Sequence, residues 1–514
     1  MKPDLSAVLG VQDFDPQDRR PRALVIGSGF GGLAAAIRLS CRGWQVRVLE
    51  RLDRPGGRAR MHEMQGHRFD AGPTIVTVPH LFEELWQMCG RRLQDDVELM
   101  PVDPFYRIRF DDGRSFDYCG DPDRMREQIR RFEPADLPGY ERMLQDSQRC
   151  YEHGYEKLGT KAFDGLGDLV AAVPNLLQMR AWRSMYRLVS RRLRNPQLRM
   201  AFSLQPLLIG GNPMAVTGGY SLIHVLERKF GVHWPRGGMI RMIEGMTGLL
   251  AGRGVPVHCG ADVQRIVVEG GRARGVELAG GQRLEADIVV SNADAAWTYR
   301  HLVDAAHRRH WSDRRIESRD YSMSLFVWYF GTRRRWDDVQ QHTMVLGPRY
   351  EGLLTDIFKR KHLAEDFSLY VHRSSAHDPS MAPAGGDTFY ALSPVPHLDS
   401  GTDWRSAAAG YRDRVLARLE RTLLPGLREH IVTEHVVTPQ HFHDELLSYK
   451  GAAFSLEPTL LQSAYFRPHN RSEDVQGLFL VGAGTHPGAG VPGVLMSARA
   501  LDTVLPEAAS VRRS

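Results

Sequence analysis

Residues 23–26 form a short unbroken apolar run, the pattern of a parallel strand buried on both faces. Small and apolar residues over 31–42 predict a helix packed closely on a sheet. Residues 45–49 read as a second strand that ends at Glu50, which completes one βαβ unit. Residues 105–234 read as largely helical with several loops. From Val257 the pattern changes. Residues 263–269, the turn Gly270-Gly271 and residues 273–278 alternate like a hairpin, and 286–290 is a further buried strand that stops at Ser291-Asn292-Ala293. Residues 322–330 and 368–372 predict strands of a separate sheet. The last apolar run, 478–481, leads into a glycine-rich loop and then a helix from about Gly493. Elements of one parallel sheet therefore lie at the start, middle and end of the chain, and a second domain must be inserted between them.

The turn after the first strand is Gly27-Ser28-Gly29-Phe30-Gly31-Gly32, which fits GxGxxG. Gly27 permits the tight turn, Gly29 lets a pyrophosphate approach the backbone, and Gly32 lets the helix pack against the strand. The free N–H groups of the helix N-terminus favour phosphate. Glu50 follows at the spacing at which a carboxylate accepts from ribose hydroxyls, and its charge disfavours a 2′-phosphate. A plain βαβ unit without ligand is the alternative to this reading. Arg54-Pro55-Gly56-Gly57-Arg58 comes next, where two glycines bring backbone close to a pyrophosphate and Arg58 can neutralise it. Gly72-Pro73-Thr74 offers another backbone approach. The C-terminal run from Gly482-Ala483-Gly484 to Gly493-Val494 carries enough glycine for backbone to lie against a flat ring, ahead of another helix N-terminus. These pieces point to FAD rather than NAD. Arg51, Val263 and Asn292 complete the expected cofactor-contacting set.

The same residues, together with several in the inserted region, resemble the bacterial and fungal type of phytoene desaturase, within the flavin amine-oxidase-like superfamily. The resemblance runs from Ala23 to the C-terminal loop. It is carried by Arg54 to Arg58, Phe69-Asp70-Ala71-Gly72-Pro73-Thr74, Pro104-Phe105-Tyr106-Arg107, Lys157-Leu158-Gly159-Thr160, Gly210-Gly211-Asn212-Pro213 and Trp234-Pro235-Arg236-Gly237-Gly238. It continues through Ser291 to Asp294, Glu365 to Tyr370, Pro394 to Leu398 and Ala464 to Asn470. The resemblance implies an α/β fold: a Rossmann-like FAD-binding domain of the flavin amine-oxidase/glutathione-reductase type, with an inserted α+β substrate domain. The expected FAD-binding domain spans 22–104, 235–304 and 470–508. The substrate- and membrane-facing domain spans 105–234 and 305–469, and residues 1–21 read as a loose tail.

The resemblance also implies successive two-electron desaturation of phytoene to neurosporene or lycopene, with oxygen or a membrane quinone as final electron acceptor. Related activities are diapophytoene or 3,4-desaturation and carotenoid isomerisation. Amine or porphyrinogen oxidation, and flavin-free binding like that of the GDP-dissociation inhibitors, are more distant. An apolar polyene has no ionisable group, so its binding rests on an apolar tunnel, at roughly 0.8 kcal/mol per buried methylene. Asp168 sits where the family looks acidic and is the expected acid/base group, a solvated helix acid being the alternative.

The remaining sequence features change this picture only at the edges. Trp182, Met185, Val189 and Leu193 recur at helical spacing within 176–194, and Arg180, Arg183, Arg187, Arg191 and Arg194 cover a neighbouring face. This pattern fits a basic interfacial helix or an ordinary core helix with a solvated face. There is no apolar run long enough to span a bilayer. Five scattered cysteines without a CxxC pair favour a reducing compartment over a disulfide framework, and the apolar substrate that the resemblance implies points to a cytoplasmic protein peripherally associated with the cell membrane. His441 and His443 lack further well-spaced ligands, so no metal is expected. A net charge of +6 is too mild to indicate nucleic acid.

Overall fold

The computed structural model describes residues 11–159 and 161–511. Strand β1 (Arg22–Ile26), helix α1 (Phe30–Cys41) and strand β2 (Gln45–Glu50) form the expected βαβ unit. Eleven of the twelve residues of α1 are buried, as a helix that is apolar all round requires. The parallel sheet runs Leu478–Leu480, Ile288–Ser291, β1, β2, Val257–Cys259. Segments more than 200 residues apart in sequence thus meet side by side, which places three chain turns at one edge of the sheet.

Residues 1–10 and Thr160 lie outside the described residues. The segment from Val11 onward is not a loose tail. Phe14 is 3% exposed and lies beneath the guanidinium groups of Arg22 and Arg47. Gln282 Nε2 donates to the Val11 carbonyl at 2.7 Å.

A three-stranded antiparallel sheet, Val263–Glu269, Arg272–Leu278 and Arg283–Glu285, confirms the expected hairpin and adds a strand. The inserted region is built on a seven-stranded mixed sheet, ordered Ile431–Val437, Ser324–Thr332, Asp387–Val395, Leu369–Arg373, His342–Val345, Tyr106–Arg109, Ser115–Tyr118. The last two strands lie in the segment read as largely helical. Their period of two is only four residues long, too short to stand out from the helices that follow.

The reading of 176–194 as one amphipathic helix is corrected. Helix α2 spans Leu166–Gln178 and stops there. Arg180 takes the left-handed conformation (φ 51°), Ala181 N donates to Leu176 O and Arg180 N to Leu177 O, which is a Schellman stop without glycine. Helix α3 (Met185–Ser190) then begins, with the Ser184 hydroxyl accepting from Arg187 N. Met185, Val189 and Leu193 are fully buried core residues. The exposed apolar stripe belongs instead to α2, where Leu166, Val170, Val173 and Leu177 share one face and are 43–70% exposed, with Trp182 just beyond. Helix α4 (Leu222–Phe230) and helix α5 (Val491–Leu501) complete the framework of the site, and α5 packs along α1.

Candidate flavin and substrate site

The glycine turn after β1 faces a cavity of about 560 Å³, lined by Gly27 to Gly31, Glu50 to Leu52, Gly56 to Arg60, Gly72 to Thr74, Val263, Asn292, Gly482, Ala483 and Gly490 to Val494. Most of the expected cofactor residues are thus brought together. Gly32 and Gly484 are not in the wall. A Cβ on Gly32 would lie 2.1 Å from the Gly27 carbonyl, so its role is close packing of helix on turn. A Cβ on Gly484 would lie 2.7 Å from Ala295 Cβ and 3.0 Å from Ser455 Oγ, so that glycine is required by protein packing.

Asn292, directly after the parallel strand Ile288–Ser291, holds the two glycine loops together. Ideal Cβ atoms on Gly29, Gly31 and Gly482 would each fall between 2.5 and 3.1 Å from its amide. These glycines therefore make room for Asn292 as well as for a ligand. The Glu50 carboxylate accepts from Ser28 N (2.8 Å), Ser28 Oγ (2.6 Å) and Leu52 N (2.9 Å). A carboxylate offers about four acceptor positions, so one is left over.

Arg58 is enclosed by the cavity wall. Its Nη2 donates to Ser448 Oγ at 2.6 Å, while its Nε has no partner among the described residues. Desolvation pulls its guanidinium below the usual arginine range, against the attraction of Asp294. A half-buried cation facing the cavity with an unpartnered Nε calls for an anion. The uncapped N-terminus of α1, preceded by Gly29 without a side-chain cap, supplies free N–H groups beside it. Donor set, glycine cradle and residual acceptor on Glu50 together fit a dinucleotide pyrophosphate and its ribose. The segment Asp70–Thr74 is fixed from the other domain: Tyr329 donates to Ala71 O, Tyr390 to Gly72 O, and Thr74 Oγ1 lies 2.7 Å from Tyr370 Oη. Asp70 itself is buried and accepts from Trp234 Nε1 and Met239 N.

From the glycine-lined end the cavity continues between α4 and the seven-stranded sheet, where Leu207, Leu222, Leu325, Val327, Leu392 and Phe442 make an apolar wall. Sequence reasoning missed the polar group in that wall. Glu227, on α4, is fully buried; Tyr106 donates to its Oε1 at 2.6 Å, and its Oε2 has no partner among the described residues. Burial pushes its carboxyl up to about 8, opposed chiefly by the hydrogen bond from Tyr106. His224, one turn earlier, faces the Phe202 carbonyl with Nε2 at 3.0 Å, so Nε2 carries the proton and Nδ1 accepts from Tyr118. Burial lowers His224 to about 4.

Asp168, the expected acid/base residue, is not in this cavity. It is exposed at the third position of α2, where its Oδ2 accepts from Asp164 N (2.8 Å) and Gly165 N (3.0 Å). That is a helix-capping role. His441 lines the cavity near His62, whereas His443 pairs with the adjacent Asp444.

Residues 30–500 match the family of flavin-containing amine oxidoreductases. The chain belongs to this family. As a member it is an FAD-dependent oxidoreductase, in agreement with the cofactor read from the glycine loops. Among its relatives, a neurosporene-forming phytoene desaturase of Cereibacter sphaeroides is 50% identical over 505 residues, covering 97% of each chain. A lycopene-forming phytoene desaturase of Paracoccus sp. is 46% identical, covering 94% of this chain and 97% of its own. In fold, a putrescine oxidase variant superposes with a TM-score of 0.65 at 16% identity, covering 94% of this chain and 98% of its own.

Proposed function

We propose that this flavoprotein desaturates phytoene in successive steps to neurosporene or lycopene. The observation that carries the reading is the single cavity that joins a glycine-lined, Arg58-bearing end to an apolar end. Bound FAD would supply the two-electron acceptor for each new double bond. Gly27 to Gly31, Glu50, Arg51, Gly57, Arg58, Gly72 to Thr74, Val263, Asn292, Gly482, Ala483, Gly493 and Val494 hold it in this reading. The apolar wall binds the polyene and excludes water. Each desaturation removes a hydride equivalent from one carbon and a proton from its neighbour, and Glu227 takes the proton. A carboxyl whose pKa lies near the working pH suits that exchange.

The final acceptor in this reading is oxygen or a membrane quinone, and the protein works on the cytoplasmic surface of the cell membrane. Among the described residues no helix is long and apolar enough to cross a bilayer. The exposed stripe of α2 supports peripheral attachment, since solvated leucines and valines at one-face spacing lose little when they enter lipid. Expression in a phytoene-accumulating host followed by pigment analysis tests the activity. Neurosporene or lycopene is expected; unchanged phytoene from a flavin-loaded protein would refute it.

A further inference from the structure

Beside the apolar stripe lies a second, smaller cavity of about 120 Å³, lined by Arg149, Arg180, Arg183, Arg191 and Arg192 around one carboxylate, Asp146. Asp146 pairs with Arg149 and, at 2.7 Å, with Arg192. Arg180, Arg183 and Arg191 have no side-chain hydrogen bond or ion pair among the described residues, so the socket keeps a surplus of positive charge. Partial desolvation and the neighbouring Arg191 and Arg180 hold Arg183 below the usual arginine range. The socket opens at the C-terminal end of α2, with Gln178 and Met179 in its wall. Trp182, 58% exposed, stands between Arg180 and Arg183 in sequence. The Schellman stop at Arg180 is what brings this cluster to the end of the stripe.

We infer that this arginine socket is a binding site for the phosphate of an anionic phospholipid headgroup, with the acyl chains lying along Leu166, Val170, Val173 and Leu177. Guanidinium groups recognise phosphate oxygens bidentately, and an apolar stripe that ends in a tryptophan and a phosphate site matches the acyl-to-headgroup gradient of a leaflet. The inference rests on the peripheral-membrane reading above and assigns it a lipid class. A free phosphate ion shares the socket's chemistry but has no use for the stripe.

The test uses the flavin-loaded full chain with vesicles of phosphatidylcholine alone and of phosphatidylcholine mixed with phosphatidylglycerol, measured by sedimentation at low salt. Wild type is expected to bind the mixed vesicles more tightly. The triple variant R180Q/R183Q/R191Q should lose about 100-fold of that affinity, as the removal of three charges near the surface implies, yet still bind neutral vesicles as wild type does. Its flavin spectrum checks that it is folded. Equal binding of wild type to both vesicles would overturn the headgroup site while leaving membrane attachment standing. Binding of wild type to neither would overturn both. Inorganic phosphate is the control: saturable binding of it by wild type without any preference for mixed vesicles would mark a soluble-anion site and overturn the proposal.

Discussion

Glu227 is a carboxyl held in an apolar wall, and its consequences are measurable apart from catalysis. Its folded-state pKa of about 8 stands above the ordinary value of 4.5. The folded protein therefore holds a proton that the unfolded chain releases between those values. Stability contributed by this residue falls as pH rises from about 4.5 to 8. Glu227→Gln removes that dependence, so the variant should gain thermal stability over wild type at pH 8, by an amount on the order of a few kcal/mol, and gain nothing near pH 4. Thermal melts at the two pH values check this. In turnover, the same variant should slow polyene formation about 10²–10⁴-fold with FAD still bound; undiminished turnover would remove Glu227 from the proton step. At Glu50, Ala leaves Ser28 N and Leu52 N without their acceptor as well as removing the ribose partner, so Glu50→Ala should purify without FAD, read from the flavin absorbance. Asp168→Asn should cost roughly 0.5–2 kcal/mol or less as a weakened cap and leave turnover per bound FAD unchanged. Glu50 was legible in the sequence because its chemistry lies at a fixed spacing from the glycine turn. Glu227 was not: its partner Tyr106 is 121 residues away, and only folding makes that carboxyl buried.

The glycine-rich elements show how far local pattern carries. The two loops were legible as ligand cradles, yet the structure divides their glycines by function. Gly29 and Gly31 make room for the Asn292 amide, and Gly484 makes room for Ala295. Gly484→Val is therefore expected to destabilise the protein by overpacking, about 1–3 kcal/mol, with flavin loss as a consequence. Comparing melts of the wild-type and variant proteins stripped of FAD checks this: equal stability would mean the side chain meets only the cofactor. Helix α2 taught the opposite lesson. The periodicity of Trp182, Met185, Val189 and Leu193 is genuine, but the segment 176–194 read as one helix crosses a helix stop made by Arg180, where glycine is the usual signal. Its buried members are core, and the surface stripe starts ten residues before the segment read as helical. Replacing Leu166, Val170 and Leu177 by Ser should abolish vesicle binding while leaving bound FAD and thermal stability near wild type, because these side chains touch little in the folded protein.

At the scale of the molecule, the parallel sheet closes only when Ile288–Ser291 and Leu478–Leu480 join β1, so the flavin loops are assembled from the start, middle and end of the chain. That interleaving was legible from three apolar runs, each followed by glycine or asparagine. The seven-stranded sheet was half legible, because its long strands announce themselves and its short ones do not. The tyrosines that this sheet extends to Asp70–Thr74 tie the polyene wall to the glycine-lined wall, and so both ends of the cavity belong to one site. The most direct test of that claim is anaerobic mixing of phytoene, in lipid vesicles, with protein whose bound FAD has been quantified. The account predicts bleaching of the oxidised flavin band in step with new conjugated-polyene absorption. A flavin that stays oxidised with phytoene and is bleached instead by an amine would contradict it.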